Sequence, residues 1–178
     1  MATTPLVAPK GSGKIFEQPT PDVPLQAVLV EVKDLGVSQK FNKFQNKMED
    51  VHEVRYKYEF AERDKEGFRK STIEKFRFSM HEKAKLRARA KQLLGKEPPM
   101  DLDHNTLLGT NVQLVGELKP SAKDPAKSYY NITAVLKLAP GTKPLPVVDP
   151  QRPKGQAQAA PASALAPAAP ISDDDIPF

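Results

Sequence analysis

Strand-forming stretches outnumber helical ones in this 178-residue chain. Their order predicts a mainly β fold with α+β elements: five strands, one helix between the third and fourth, and a disordered C-terminal tail. Three observations carry that expectation. Two neighbouring stretches, VHEVRYKYEFAE and STIEKFRFSM, alternate polar and apolar residues with a period of two. One stretch, ending at Gly95, carries apolar residues at helical spacing. The 18 prolines gather at the two ends, which leaves the middle of the chain for one ordinary domain.

The elements follow in order. LQAVLVEVKDLG is rich in Val and Leu and ends at Gly36, so it predicts a first strand whose Ala27 to Val30 are buried on both faces. In VHEVRYKYEFAE, Val54, Tyr56, Tyr58 and Phe60 point one way and Glu53, Arg55, Lys57 and Glu59 the other. RDKEG supplies turn residues. STIEKFRFSM then sets Phe76, Phe78 and Met80 against Ile73, Lys75 and Arg77, so the two strands form a hairpin. Ser79 and Glu82 have the capping-box spacing and start a helix. Leu86, Ala90, Leu93 and Leu94 make its core stripe, with Lys83, Lys85, Arg87, Arg89 and Lys91 toward solvent. DHNTLLG suggests a short helical turn. NVQLVGEL and YYNITAVLKL give the last two strands, the second with Tyr130, Ile132, Ala134, Leu136 and Leu138 inward.

Composition excludes several classes of function. Without cysteine there is no disulfide framework and no thiolate metal site, and His52, His81 and His104 lack ligand spacing, so no metal or other cofactor is expected. GSGK is followed by Ile15 and lacks the earlier glycine of a phosphate-binding loop. Neither a Ser/His/Asp grouping nor a pair of carboxylates suited to acid–base work emerges, so the chain reads as a non-enzyme. No run approaches the roughly 18 apolar residues of a membrane span, and the N-terminus lacks an export signal. A cytoplasmic protein is expected.

Charge is unevenly spread. Of the 27 cations two lie beyond Pro146, and of the 22 anions four do, so the body carries +7 and the tail −2. A basic body suits a polyanion partner. Residues 1–20 read as a flexible arm, 21–140 as the domain, 141–171 as a disordered Pro/Ala-rich linker, and 172–178 as an acidic tip. Such a linker keeps the tip tethered yet mobile.

Three strands, a helix and two strands is the order of an OB-fold, a five-stranded, partly open barrel with a binding face centred on strands two and three. The terminal DDDIPF resembles the C-terminal tip of bacterial single-stranded DNA-binding proteins. FEQP, LVEVKDLG, YKYEF, FRFSMHEKAKLR, LLG and YYNI, in that order, resemble phage-encoded OB-fold single-stranded DNA-binding proteins. The resemblance implies a protein that coats exposed strands in replication, recombination and repair in a bacterial host. It also implies that Phe178, with Ile176 and Pro177, enters an apolar pocket on replication and repair proteins while Asp173, Asp174 and Asp175 meet its basic rim.

The residues themselves point the same way. A single strand needs cations for its phosphates and aromatic faces for its bases. Arg55, Lys57, Lys75 and Arg77 share the face opposite the Tyr/Phe core, with no acid at those positions. Tyr129 and Asn131 point away from the core of the last strand, to stack and hydrogen-bond or to pack on a loop. Lys40, Phe41, Lys43 and Phe44 in QKFNKFQNK suit a loop that closes on the strand or staples onto the barrel. Two other functions remain open: a single-stranded RNA-binding OB protein, and an adaptor or decoy that presents the tip without binding DNA.

Overall fold

A computed structural model describes residues 17–122 and 127–153. The elements are β1 (Leu25–Asn42), β2 (Lys47–Arg63), β3 (Arg69–Arg77), α1 (Lys85–Leu94), a short 3-10 helix (His104–Leu107), β4 (Asn111–Pro120) and β5 (Ser128–Lys137). All strand pairs are antiparallel, in the order β3-β2-β1-β4-β5. The sheet is not closed by a strand ladder, but its edges approach: Thr72 of β3 donates its hydroxyl to the Tyr130 carbonyl of β5 at 3.0 Å. Phe60 meets Tyr130 edge-on at 5.4 Å between ring centroids. The architecture is OB-like, with α1, the one α-helix among the described residues, between the third and fourth strands.

Alternation decides which face is core. Val54, Tyr56, Tyr58, Phe60 and Phe76 are buried with Leu29, Leu114, Tyr130 and Ile132, and α1 closes this inner face with Leu86, Ala90 and Leu93. Each fully buried apolar side chain contributes about 2–3 kcal/mol before entropy is counted. Gly116 on β4 is required by the packing. A Cβ there would stand 2.5 Å from both the Tyr130 ring and the Asn131 carbonyl.

Two of the register shifts change what the strand patterns predict. At Leu35 the β1–β2 register shifts, Gly36 adopts a φ of 70°, and the strand continues to Asn42 instead of stopping. QKFNKFQNK is therefore the end of a long two-stranded ribbon and its turn, not a loop folded onto the barrel. In β5 the register shifts at Thr133, whose hydroxyl bonds the Val115 carbonyl at 3.1 Å. The extra residue reverses the alternation. Val135 packs on the core, and Leu136, expected inward, is exposed.

The helix starts later than the capping-box spacing predicts. Ser79 Oγ accepts from His81 N, only two residues on, and α1 begins at Lys85 with Ala84 as a cap that offers no side-chain bond. It ends as expected at Gly95 in the left-handed conformation. Arg87 and Arg89, expected in solvent, are tied down. Arg87 binds Glu97 and the Met80 carbonyl, and Arg89 meets Glu74 of β3 at 2.6 Å, both partners largely buried. Burial pushes the Glu74 carboxyl above its usual value, against the pull of Arg89.

Both domain ends differ from the composition-based boundaries. Thr20 bonds Glu62 through its amide and hydroxyl, so residues 17–20 are part of the body. Residues 143–153, expected to begin the linker, form a strap on the sheet. Gln26 donates to the Lys143 carbonyl, Asn111 exchanges bonds with Leu145, and Arg69 donates to the Pro146 carbonyl. Arg63 grips Asp149 with two bonds of 2.8 Å. This strap crosses the outer face beside Val28, which register places between Asn111 and Glu59, so Ala27 to Val30 are buried from both sides. Proline-rich composition marks missing side-chain bulk, but it does not mark missing backbone hydrogen bonds or a well-placed Asp.

Candidate nucleic-acid interface

The outer face of β1, β2 and β3 is the expected binding surface, and pairing assembles it across the strands. Lys33 of β1 stands opposite Arg55 of β2, and Arg55 opposite Lys75 of β3, so three cations form one row. At the 4.7–4.9 Å strand spacing the row is about 10 Å wide. Lys57 and Arg77 lie on the same face, one pair of residues along in either direction. Lys33 escaped the sequence reading because only register shows that it joins Arg55; its polar position in the alternation of VEVKD was the available signal.

The face is not free of acids, as the strand positions alone suggested. Glu31, opposite Lys57, bonds Arg55 through Nε at 3.0 Å and also through Nη2. Glu59 lies 3.6 Å from Lys57, and Glu49 pairs with Arg77. Glu31 comes from the neighbouring strand and Glu49 from the ribbon, neither shown by the spacing around Arg55 and Lys57, whereas Glu59 follows Lys57 by two on β2 and was placed on this face by the alternation itself. Lys33 and Lys75 are exposed and have no ion pair among the described residues. They are the cations on this face most open to an outside anion.

The ribbon places the other candidates apart from the row. Lys40 points to the outer side and pairs with Glu53 at 2.5 Å, while Phe41 lies opposite Met48 on the other side. Lys43 and Phe44 occupy the turn, where Asn42 Oδ1 accepts from the Phe44 amide, and Phe44 is fully exposed. Neither phenylalanine packs on the barrel. From Lys40, facing Glu49, to the row at Arg55 is about six strand residues, or about 20 Å.

Phe78, expected in the core, is instead a half-exposed ring packed against His52, with centroids 4.7 Å apart and planes tilted by 37°, just beyond the end of β3. His52 in turn bonds Asp34 at 2.6 Å. At the other side of the barrel Tyr129 is exposed opposite Lys119, and Asn131 donates to Glu117 at 3.2 Å. Both flank Tyr130, the residue that meets β3, so they lie where the outer surface continues from β3 to β5.

Chemically the outer face offers cations for phosphates; of the exposed rings that can stack, Phe44, Phe78 and Tyr129 lie at its margins and Phe41 on the other side of the ribbon. No cluster of three or more potential metal ligands occurs among the described residues, and no described helix is long and apolar enough to cross a membrane. The tip residues Asp173, Asp174, Asp175, Ile176, Pro177 and Phe178 lie outside the described residues. No protein-family model, curated protein or solved structure matches this chain.

Proposed function

We propose that the protein binds single-stranded DNA across the outer face of β1–β3 and carries partner proteins to it through the acidic C-terminal tip. The observation that supports this best is the row Lys33–Arg55–Lys75, extended by Lys57 and Arg77, on the face of an OB-like sheet. Exposed aromatic rings on the ribbon, at Phe78 and at Tyr129 supply stacking faces without a base-specific pattern, which suits coating in replication, recombination or repair. The resemblance of DDDIPF to the bacterial tip supports the recruiting role, and no chemistry is required of the chain itself.

Titration of the full chain with oligo(dT) at two salt concentrations tests the reading. Affinity is expected to fall steeply with salt, the logarithmic slope being about −0.7 for each phosphate neutralised. Absence of binding at low salt would leave the tip without a DNA-bound body and favour an adaptor. Tighter binding of oligo(U) than oligo(dT) would move the target to RNA, through the 2′-hydroxyl. Deleting Phe178 should abolish recovery of replication and repair proteins from bacterial extract, and equal recovery by both chains would sink recruitment.

A further inference from the structure

Where β3 leaves the sheet, its outer edge opens into a cleft of about 430 Å³ lined by Lys75, Arg77, Ser79, His81, Lys83 and Lys85, together with Phe76 and Ala84. The volume lies within the range of small-ligand sites. No carboxylate lines it. Arg77 reaches Glu49, but Lys75, Lys83 and Lys85 have no ion pair among the described residues. The loop holds its polar groups in fixed places. Ser79 Oγ accepts from His81 N at 3.3 Å, and His81 Nδ1 lies 3.4 Å from Lys83 N.

The charge pattern here is the reverse of what a helix start favours. Ala84 caps α1 without a side-chain bond and the first turn contains no acid, while Lys83 and Lys85 stand beside the positive end of the helix. Cations there are unfavourable, and an anion in the cleft relieves both the helix end and the lysines. The cavity and its cationic lining carry the assignment, and the helix end adds to it.

We propose that this cleft is a phosphate-binding subsite, filled by a phosphate of a single strand as it passes from the outer face off the end of β3. Lys75 and Arg77 belong to both surfaces, so the cleft continues the row and extends the track onto α1. This inference rests on the single-strand reading for the source of the phosphate, but not for the affinity of the cleft for phosphate itself.

The test uses the full chain in chloride buffer. Inorganic phosphate and thymidine monophosphate are titrated while backbone NMR signals of residues 83–85 are followed. Saturable shifts are expected in the wild type and not in Lys83→Gln/Lys85→Gln; no shift, or the same shift in the variant, overturns the subsite. Oligo(dT) binding is then compared across salt. The double variant should lose about tenfold in affinity at low salt, with a slope shallower by about 0.7 for one phosphate contact. A charge-matched control, Lys91→Gln/Lys96→Gln at the other end of α1, should lose much less. Equal losses would reduce the effect to net charge and overturn the subsite. A larger loss for 5′-phosphorylated than for unphosphorylated oligo(dT) identifies a terminal phosphate as occupant, and equal losses identify an internal one. If the wild type binds no oligo(dT) yet shifts with phosphate, the single-strand reading fails and the subsite stands. If oligo(dT) binds equally to wild type and double variant, the subsite fails and the single-strand reading stands.

Discussion

The outer face of the sheet has two ends built from the same residue types and put to opposite uses. At one end Arg63 and Arg69 meet Asp149, brought back by the strap: Arg63 is bidentate at 2.8 Å, and Arg69 Nε lies 3.6 Å away with only 5% of its side chain exposed. At the other end Lys33 and Lys75 stand open, and Arg55 is only partly offset by Glu31. The chain supplies its own anion at the first end, so those cations hold the fold together. Among the described residues it supplies none for Lys33 and Lys75, so their charge is open to a polyanion. A cation count over the whole face would have merged the two.

The comparison breaks most visibly if the strap is released. Asp149→Ala leaves two guanidinium groups facing a covered surface without their carboxylate. Removing one partner of a buried pair typically costs 3–5 kcal/mol; because Arg63 is partly exposed, about 2–3 kcal/mol is expected here. Limited proteolysis should then cut between residues 141 and 153, whereas in the wild type this stretch should stay uncut. An unchanged cleavage pattern and melting temperature would show that Asp149 does not hold the strap.

Next in size is the open end. Lys33→Gln with Lys75→Gln should weaken oligo(dT) binding roughly tenfold at low salt and make the salt slope shallower by about 1.4, two contacts at about 0.7 each. Because both side chains are exposed, the melting temperature should stay within a degree or two, as is usual for surface changes. A large fall in melting temperature would mean that this end too is structural.

Acid should separate the ends more gently. Hydrogen bonds from Arg63 hold the Asp149 carboxyl below its ordinary 3.8. Its contribution is therefore complete above pH 3.8 and is lost as pH falls through the lower, folded value. Burial likewise lowers His104 from its ordinary 6.5, so its contribution is present above pH 6.5 and is lost as pH falls through the lowered value. Melting temperature should begin to drop below about pH 6.5 while the strap stays protected from protease until below about pH 4. Loss of strap protection between pH 7 and pH 5 would contradict the assignment of Asp149.

The smallest effect sharpens the comparison by freeing a cation. Glu31→Gln removes the carboxylate that offsets Arg55 and should raise oligo(dT) affinity about twofold to threefold at low salt, the scale of one partly exposed ion pair. The gain should vanish at high salt, where the charge is screened. Weaker binding would instead mean that Glu31 positions the guanidinium for its ligand.

Alternation within each strand is a local property, and what it determines could be read from the sequence: that Tyr56, Tyr58, Phe60 and Phe76 are core, that Arg55, Lys57, Lys75 and Arg77 share the opposite face, and that α1 ends at Gly95. Each depends on residues a few positions apart. Tertiary structure decided what depends on distant partners. Asp149 lies 86 residues from Arg63, yet it turns an expected linker into a strap. Glu31 lies 24 residues from Arg55, yet it takes part of a charge that its own strand leaves open. Lys33 joins the row only through register, and the bulges at Leu35 and Thr133 reverse or prolong a pattern that their own residues do not announce. A hydrophobic period is written along the chain, whereas an ion pair and a bulge are settled only when a second strand arrives. So the class of fold and the basic face were legible from the sequence, while the division of that face into a closed structural end and an open one was not.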